Sequence, residues 1–213
     1  MNRITALQLQ NRNRQRINVF LDGEFAFGLS KIVAAWLEIG QELSPEKISE
    51  LKAQDAEEVA FQRAVKFVGY RARTSAEVRQ NLKQHGVTED LIDTIVVRLE
   101  RSGTVDDRGF AQMWVENRSE YRPRGRRLLA YELKRKGISE EVIRETLDES
   151  LPDEDELAYQ AALIQSRKLK QSDWLEFRRK MYDHLARRGF SYDASDSAVR
   201  KVWSERDSNS LLE

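Results

Sequence analysis

Three stretches of the chain decide its fold: Val78-Arg79-Gln80-Asn81-Leu82-Lys83-Gln84-His85-Gly86-Val87-Thr88, Leu129-Ala130-Tyr131-Glu132-Leu133-Lys134-Arg135-Lys136-Gly137-Ile138-Ser139, and Met181-Tyr182-Asp183-His184-Leu185-Ala186-Arg187-Arg188-Gly189-Phe190-Ser191. The second follows the first by 51 residues and the third follows the second by 52. Each shared position has one physical job. Val78, Leu129 and Met181 stand one helical turn before Leu82, Leu133 and Leu185, so both sets lie on one apolar helix face. Gly86, Gly137 and Gly189 stand where a helix can end in a left-handed residue. Val87, Ile138 and Phe190 can pack back on that helix. Thr88, Ser139 and Ser191 can cap the next one by accepting from its free N–H groups. Val96, Leu147 and Val199 anchor that next helix in the core. Six ordered matches with consistent roles describe an internal repeat.

Working outward, each helix pair has a third helix upstream. Ala60, Ala64, Phe67 and Val68 form the first apolar stripe, Phe110, Ala111, Trp114 and Val115 the second, and Leu157, Ala158, Ala161 and Ala162 the third. Thr74-Ser75-Ala76-Glu77 reads as a capping box. The chain divides into three-helix units at 57–103, 106–150 and 153–204, preceded by an N-terminal region at 1–56 and followed by a polar tail at 205–213. A unit this small buries little apolar surface alone. Stacking would supply the rest, which predicts an elongated, curved array. The fold class is mainly α, with tandem three-helix repeats and a small N-terminal β-hairpin region.

That N-terminal region alternates: Ile17, Val19 and Leu21, then Asp22-Gly23, then Phe25, Phe27 and Leu29. Asp-Gly between alternating runs is a strong hairpin signal. Ile4 to Leu9 adds a third strand, with its turn at 11–14. From Lys31 the pattern becomes two short helices, the second opening at Ser44-Pro45-Glu46.

Composition excludes whole classes. The 213 residues hold no Cys and two His. A disulfide framework, a Cys-based zinc site, an iron–sulfur cluster and a thiol nucleophile are therefore absent. The longest apolar run, Ile32 to Leu37, is far too short to span a membrane. The expected location is the cytoplasm. No phosphate-cradling Gly-rich loop occurs, and no His-x-x-x-His pair. Asp106-Asp107 reads as helix-capping residues rather than a catalytic pair. The chain is expected to be no enzyme, to need no cofactor or metal, and to act by occupying a surface. Phe110, Trp114, Trp174, Phe190 and Trp203 read as core residues rather than base-stacking platforms.

Thirty-six basic and 36 acidic side chains cancel, but they segregate. Residues 1–16 carry four Arg and no acid. Residues 118–136 carry Arg118, Arg122, Arg124, Arg126, Arg127, Lys134, Arg135 and Lys136 against Glu120 and Glu132. Residues 140–156 then hold nine acids against Arg144, and 167–188 swing back to basic. Such blocks can steer a polyanion or an acidic protein face. They are also what solvated helix faces look like.

At these residues a resemblance emerges. Arg71-Ala72-Arg73-Thr74-Ser75-Ala76-Glu77-Val78 with Leu82, and Asp106-Asp107-Arg108-Gly109-Phe110-Ala111 with Trp114 and Arg118, resemble the hallmarks of the RecX family, regulators of the bacterial RecA recombinase. Leu133-Lys134-Arg135-Lys136-Gly137-Ile138 is similar to the second-repeat signature, and Arg187-Arg188-Gly189-Phe190 to the third. Phe20-Leu21-Asp22-Gly23-Glu24-Phe25-Ala26-Phe27 resembles the N-terminal hairpin. Gly109 departs mildly, since longer side chains are usual there.

The resemblance implies a non-catalytic regulator in homologous recombination, DNA repair and the SOS response. It implies binding to RecA filaments on single-stranded DNA. It also implies inhibition or tuning of RecA ATPase, strand exchange and filament growth. An elongated monomer in the filament groove, touching DNA weakly or indirectly and no membrane, is the expected picture. The candidate contact residues are Arg71, Arg73, Arg118, Arg122, Arg124, Arg126 and Arg127. The structural alternative is that they pair with Asp106, Asp107 or the 140–156 acids. The competing functions are a sequence-independent DNA-binding protein and a helical scaffold for another protein.

Overall fold

Asp22-Gly23 adopts the tight turn its sequence demands. In the computed structural model, which describes residues 2–169 and 171–210, Asp22 has φ 50° and Gly23 φ 93°. Both turn residues thus take the positive φ that matches strand twist. They join β2 (Arg16–Leu21) to β3 (Glu24–Ser30), and β1 (Asn2–Leu9) pairs antiparallel with β2. A two-residue β4 (Glu42–Leu43), invisible to sequence alternation at that length, completes a sheet of order β3-β2-β1-β4. Ile4, Val19, Leu21, Phe27 and Leu29 bury one face against Ala34, Leu43 and Leu51.

The two expected short helices are corrected. Val33–Trp36 is a single 3-10 turn, and Ser44 caps α1 (Pro45–Gly69), a helix of 25 residues that runs through position 57. The reason lies in residues 46–68, which contain neither Gly nor Pro and are rich in Ala, Glu, Lys and Gln. Nothing there stops a helix. The first half of α1 covers the sheet through Leu51, and the second half supplies Ala60 and Ala64 to another core. Asp55 ties the helix to the sheet. Its carboxylate accepts from Ser30 N at 2.5 Å and from Arg16 Nη2 at 2.8 Å, and Asp55 is buried.

The remaining helices are α2 (Ser75–Gln84), α3 (Glu89–Arg101), α4 (Asp107–Tyr121), α5 (Arg126–Arg135), α6 (Glu140–Ser150), α7 (Glu154–Ser166), α8 (Trp174–Arg187) and α9 (Tyr192–Ser210). The expected tail at 205–213 thus begins as the end of α9; its last three residues, and Lys170 of the third basic block, lie outside the described residues. The three repeated glycines have φ 76°, 80° and 82°. Each closes the same helix stop: Val87 N donates to Leu82 O at 3.2 Å, Ile138 N to Leu133 O at 3.2 Å, and Phe190 N to Leu185 O at 3.3 Å. Leu82, Leu133 and Leu185 are fully buried, worth roughly 2–3 kcal/mol each in apolar burial.

The expected caps form at two of the three positions. Ser139 Oγ accepts from Val142 N and Ser191 Oγ from Ala194 N, each at 3.3 Å. Thr88 makes no side-chain cap; Glu89 and Asp90 in the first turn of α3 meet the helix dipole instead. Thr74 Oγ1 accepts from Glu77 N at 3.2 Å, as a capping box requires. The Glu77 carboxylate holds Lys136 Nζ at 2.8 Å.

The chain forms two compact units. One comprises Met1–Ala72 with Val78–Val105, and the other Arg73–Glu77 with Asp106–Glu213. The first contains the sheet core and a core of Ala60, Ala64, Val78, Leu82, Ile92, Ile95, Val96, Leu99 and Val105. The second contains the α4–α6 core and the α7–α9 core, with Leu151 packing against both. Phe110 and Phe190 are buried, and Trp114, Trp174 and Trp203 are partly buried against these cores, as their core reading anticipated.

Candidate interaction site on the second repeat

The site grows from helical spacing. On α4, Phe110, Trp114 and Arg118 succeed one another at intervals of four, so they form one ridge. The rings of Phe110 and Trp114 stack at 5.8 Å, and the Arg118 guanidinium lies 4.2 Å over Trp114. Glu132 on α5 and Lys136, which caps that helix, are spaced likewise. Trp114 Nε1 donates to Glu132 Oε2 at 2.9 Å, and Lys136 Nζ sits 5.5 Å from the same indole ring. One half-buried carboxylate therefore serves three partners: Trp114, Arg118 Nε at 3.4 Å, and the Arg124 guanidinium, which contacts its other oxygen.

Residues 122–125 join α4 to α5, and their position is set from the third repeat. Gly125 N donates to Arg188 O at 2.9 Å, and Arg188 Nη1 donates back to Pro123 O at 3.0 Å. A Cβ on Gly125 would stand 2.3 Å from Gly189 O. Only Gly permits that approach. The linker is thereby pinned to the end of α8, and Arg188 is brought to the arginines of the second repeat. Burial, then the charge of Arg122, lowers the pKa of Arg118 and of Arg188 from the ordinary arginine value. Burial first, then Arg118, Arg188 and Arg122, lowers that of Arg124. Arg118, Arg124 and Arg188 are thus each acted on by burial and by a neighbouring guanidinium charge.

The seven candidate residues have different local partners. Arg118, Arg122 and Arg124 belong to the cluster. Arg126 Nη2 pairs with Asp148 at 2.5 Å, a pairing with the 140–156 acids of the kind that the structural alternative anticipated. Arg127 is exposed at the start of α5; among the described residues, neither it nor Arg122 has an ion-pair partner. Arg73 lies 4.0 Å from Glu77, and the exposed Arg71 donates to Ala72 O at 2.9 Å.

Asp106 and Asp107 are occupied elsewhere. Asp106 caps α4 by accepting from Gly109 N at 3.0 Å. Asp107 does something other than cap: it accepts from Ser75 N at 2.8 Å and from Ser75 Oγ at 2.6 Å. Arg188 and Glu132 are the members of the site that sequence reasoning missed. Arg188 was findable, because it precedes the repeat glycine, the position held by His85 and Lys136 in the other units.

Among the described residues no group of three or more His, Asp or Glu could hold a metal ion. No described helix is long and apolar enough to cross a membrane. A cluster of guanidinium groups with a shared carboxylate is suited to binding an anion.

Four family models match in chain order: the RecX regulatory protein N-terminal domain over 2–44, and the first, second and third RecX three-helix domains over 60–99, 106–147 and 153–199. The regulatory protein RecX of Bacillus licheniformis is 34% identical over 207 residues, which are 96% of this chain and 79% of that protein. The chain belongs to the RecX family. RecX of Bacillus subtilis strain 168 is 30% identical over 99% of this chain and 81% of its own length. A crystal structure of a RecX regulatory protein superposes with TM-score 0.77 at 25% identity, covering 93% of this chain and 98% of that one. RecX from Lactobacillus salivarius shares the fold at 21% identity, with TM-score 0.63 over 70% of this chain and 97% of that one. RecX proteins are regulators, in keeping with the non-catalytic role read from the sequence.

Proposed function

We propose that this RecX protein regulates the RecA recombinase by binding its filament on single-stranded DNA and inhibiting ATPase, strand exchange and filament growth. The observation that carries the reading is the ordered match of all four RecX domains along the chain. The physics supports it. An array of repeats can touch several protomers of a polymer at once, and linked contacts raise avidity without one tight site. Arg71, Arg73, Arg118, Arg122, Arg124, Arg126 and Arg127 are the proposed contacts. The protein acts as a cytoplasmic monomer, with DNA contact weak or indirect. The 140–156 acids limit indiscriminate DNA binding.

The test is a RecA ATPase assay on single-stranded DNA, titrated with this protein at two salt concentrations. Dose-dependent inhibition that survives the higher salt is expected. ATPase that stays unchanged at every ratio would remove RecA as the target. Inhibition abolished by salt in parallel with binding to bare DNA would favour a DNA-masking protein.

A further inference from the structure

Sequence blocks alone made the 118–127 arginines a diffuse basic stretch. The tertiary structure does something more specific. It brings Arg118 from the last turn of α4 and Arg124 from the linker onto one carboxylate, joins Arg122 to Arg118 through the Arg122 N–H on Arg118 O, and ties Arg188 from the end of α8 to the same linker through Pro123 O and Gly125 N. Among the described residues, the carboxylate paired with this group is Glu132, which contacts Arg118 and Arg124. Positive charge therefore exceeds negative charge at this point, although the whole chain is neutral.

Packing like charges together costs stability, and the backbone gives them little freedom to separate. Arg188 is held by Pro123 O, Gly125 is locked under Arg188 O, and Arg118 is held by Trp114 and Glu132. A surplus of preorganised guanidinium groups is the arrangement that an external anion relieves.

We propose that Arg118, Arg122, Arg124 and Arg188 form a phosphate site that holds the backbone of single-stranded DNA. Two features favour phosphate over the carboxylates of an acidic protein face. The cluster already contains one carboxylate and remains in cationic surplus, so one more side-chain carboxylate would leave it unbalanced. A nucleic-acid strand instead presents consecutive phosphates to arginines drawn from three chain segments, and guanidinium forks match phosphate oxygens. This inference rests on the reading that the protein works on a DNA-bearing filament. It adds which part of that filament the cluster grips.

The experiment uses the full chain without RecA, so its outcome is separate from that of the ATPase assay. Binding of a short fluorescent oligo-dT strand is followed by anisotropy across a salt series. Arg122→Gln is the main variant, because Arg122 is exposed and without an ion-pair partner among the described residues. It should weaken binding on the order of fivefold at low salt and make the log–log salt slope shallower by about 0.7, the value for one phosphate on a single strand. Arg188→Lys should weaken binding while an unchanged circular dichroism spectrum shows the fold intact. Arg108→Gln is the control. It removes the same charge from the first turn of α4, where Arg108 pairs with Glu145 and Glu149, and should leave binding as it is. Equal losses in the Arg122 and Arg108 variants, or no loss in either, would overturn the site. Competition by poly-glutamate as effective as that by unlabelled oligo-dT would reassign the cluster to an acidic protein surface.

Discussion

Two glycines show how differently one residue type can be constrained. Gly86 and Gly189 end equivalent helices with φ 76° and 82°. A Cβ on Gly86 would meet nothing within 4 Å, so Gly86→Ala should cost only the left-handed strain, about 1–2 kcal/mol. A Cβ on Gly189 would stand 2.5 Å from Leu128 N and 3.1 Å from Leu128 Cα. Gly189→Ala should therefore cost clearly more, because backbone must move. Urea unfolding of the two variants checks this; equal costs would mean that the α8–α5 approach is soft.

His184 is the other informative residue. Burial, then Arg188, Arg187 and Lys168, pushes its pKa down to about 4 from 6.5. Its folded pKa lies below its unfolded one, so the unfolded chain binds the extra proton between those values. The neutral imidazole's contribution is complete above pH 6.5 and is lost as pH falls toward 4. With solvent screening it amounts to about 1 kcal/mol. Urea midpoints at pH 7 and pH 5 should differ in the native chain and converge partly in His184→Gln. An identical pH dependence in both would clear His184 of the effect.

Among elements, α1 depends on a carboxylate that sequence reading did not single out. Asp55 receives Arg16 and Ser30 N where the helix crosses the sheet. Asp55→Ala would strand a half-buried guanidinium and a strand N–H. A loss of about 2–4 kcal/mol is expected, with the sheet affected most. Hydrogen exchange of the β2 and β3 amides would report it. Protection unchanged from the native chain would show that Leu51 and its apolar neighbours suffice to hold α1. The acidic α6 works similarly in the second unit. Glu140 pairs with Lys134, Glu145 and Glu149 with Arg108, and Asp148 with Arg126. Much of the acidic block is thus committed to neighbouring helices rather than to solvent alone.

At the scale of the whole molecule, charge neutrality coexists with a local cationic surplus. The prediction belonging here concerns RecA. Arg124→Gln with Arg126→Glu and Arg127→Glu should weaken inhibition of RecA ATPase about tenfold or more through lost charge contacts. Arg124 is neutralised rather than reversed, since a reversed side chain would face Glu132. The Arg126–Asp148 pair is exposed, so its loss should cost stability only about 0.5 kcal/mol. Unchanged inhibition with an intact fold would remove this block from the contact surface.

How much of this was legible beforehand depends on the range of the forces involved. Helix stops at Gly86, Gly137 and Gly189, the Asp22-Gly23 turn and the buried Leu82, Leu133 and Leu185 were all readable, because backbone sterics and apolar periodicity act within one or two turns of chain. The resemblance to RecX was readable for the same reason: its motifs are these local devices in order. The Asp107–Ser75 bond, the Asp55 anchor and the convergence of Arg188 on Arg118, Arg122 and Arg124 were not. Their partners are 25 to 70 residues apart, and a charged side chain carries no sequence mark of which distant group will face it. Sequence alone determined a β-hairpin region and three helical triplets. Tertiary packing alone decided which charges cancel and which remain for an anion, because that depends on distances set only when the helices meet.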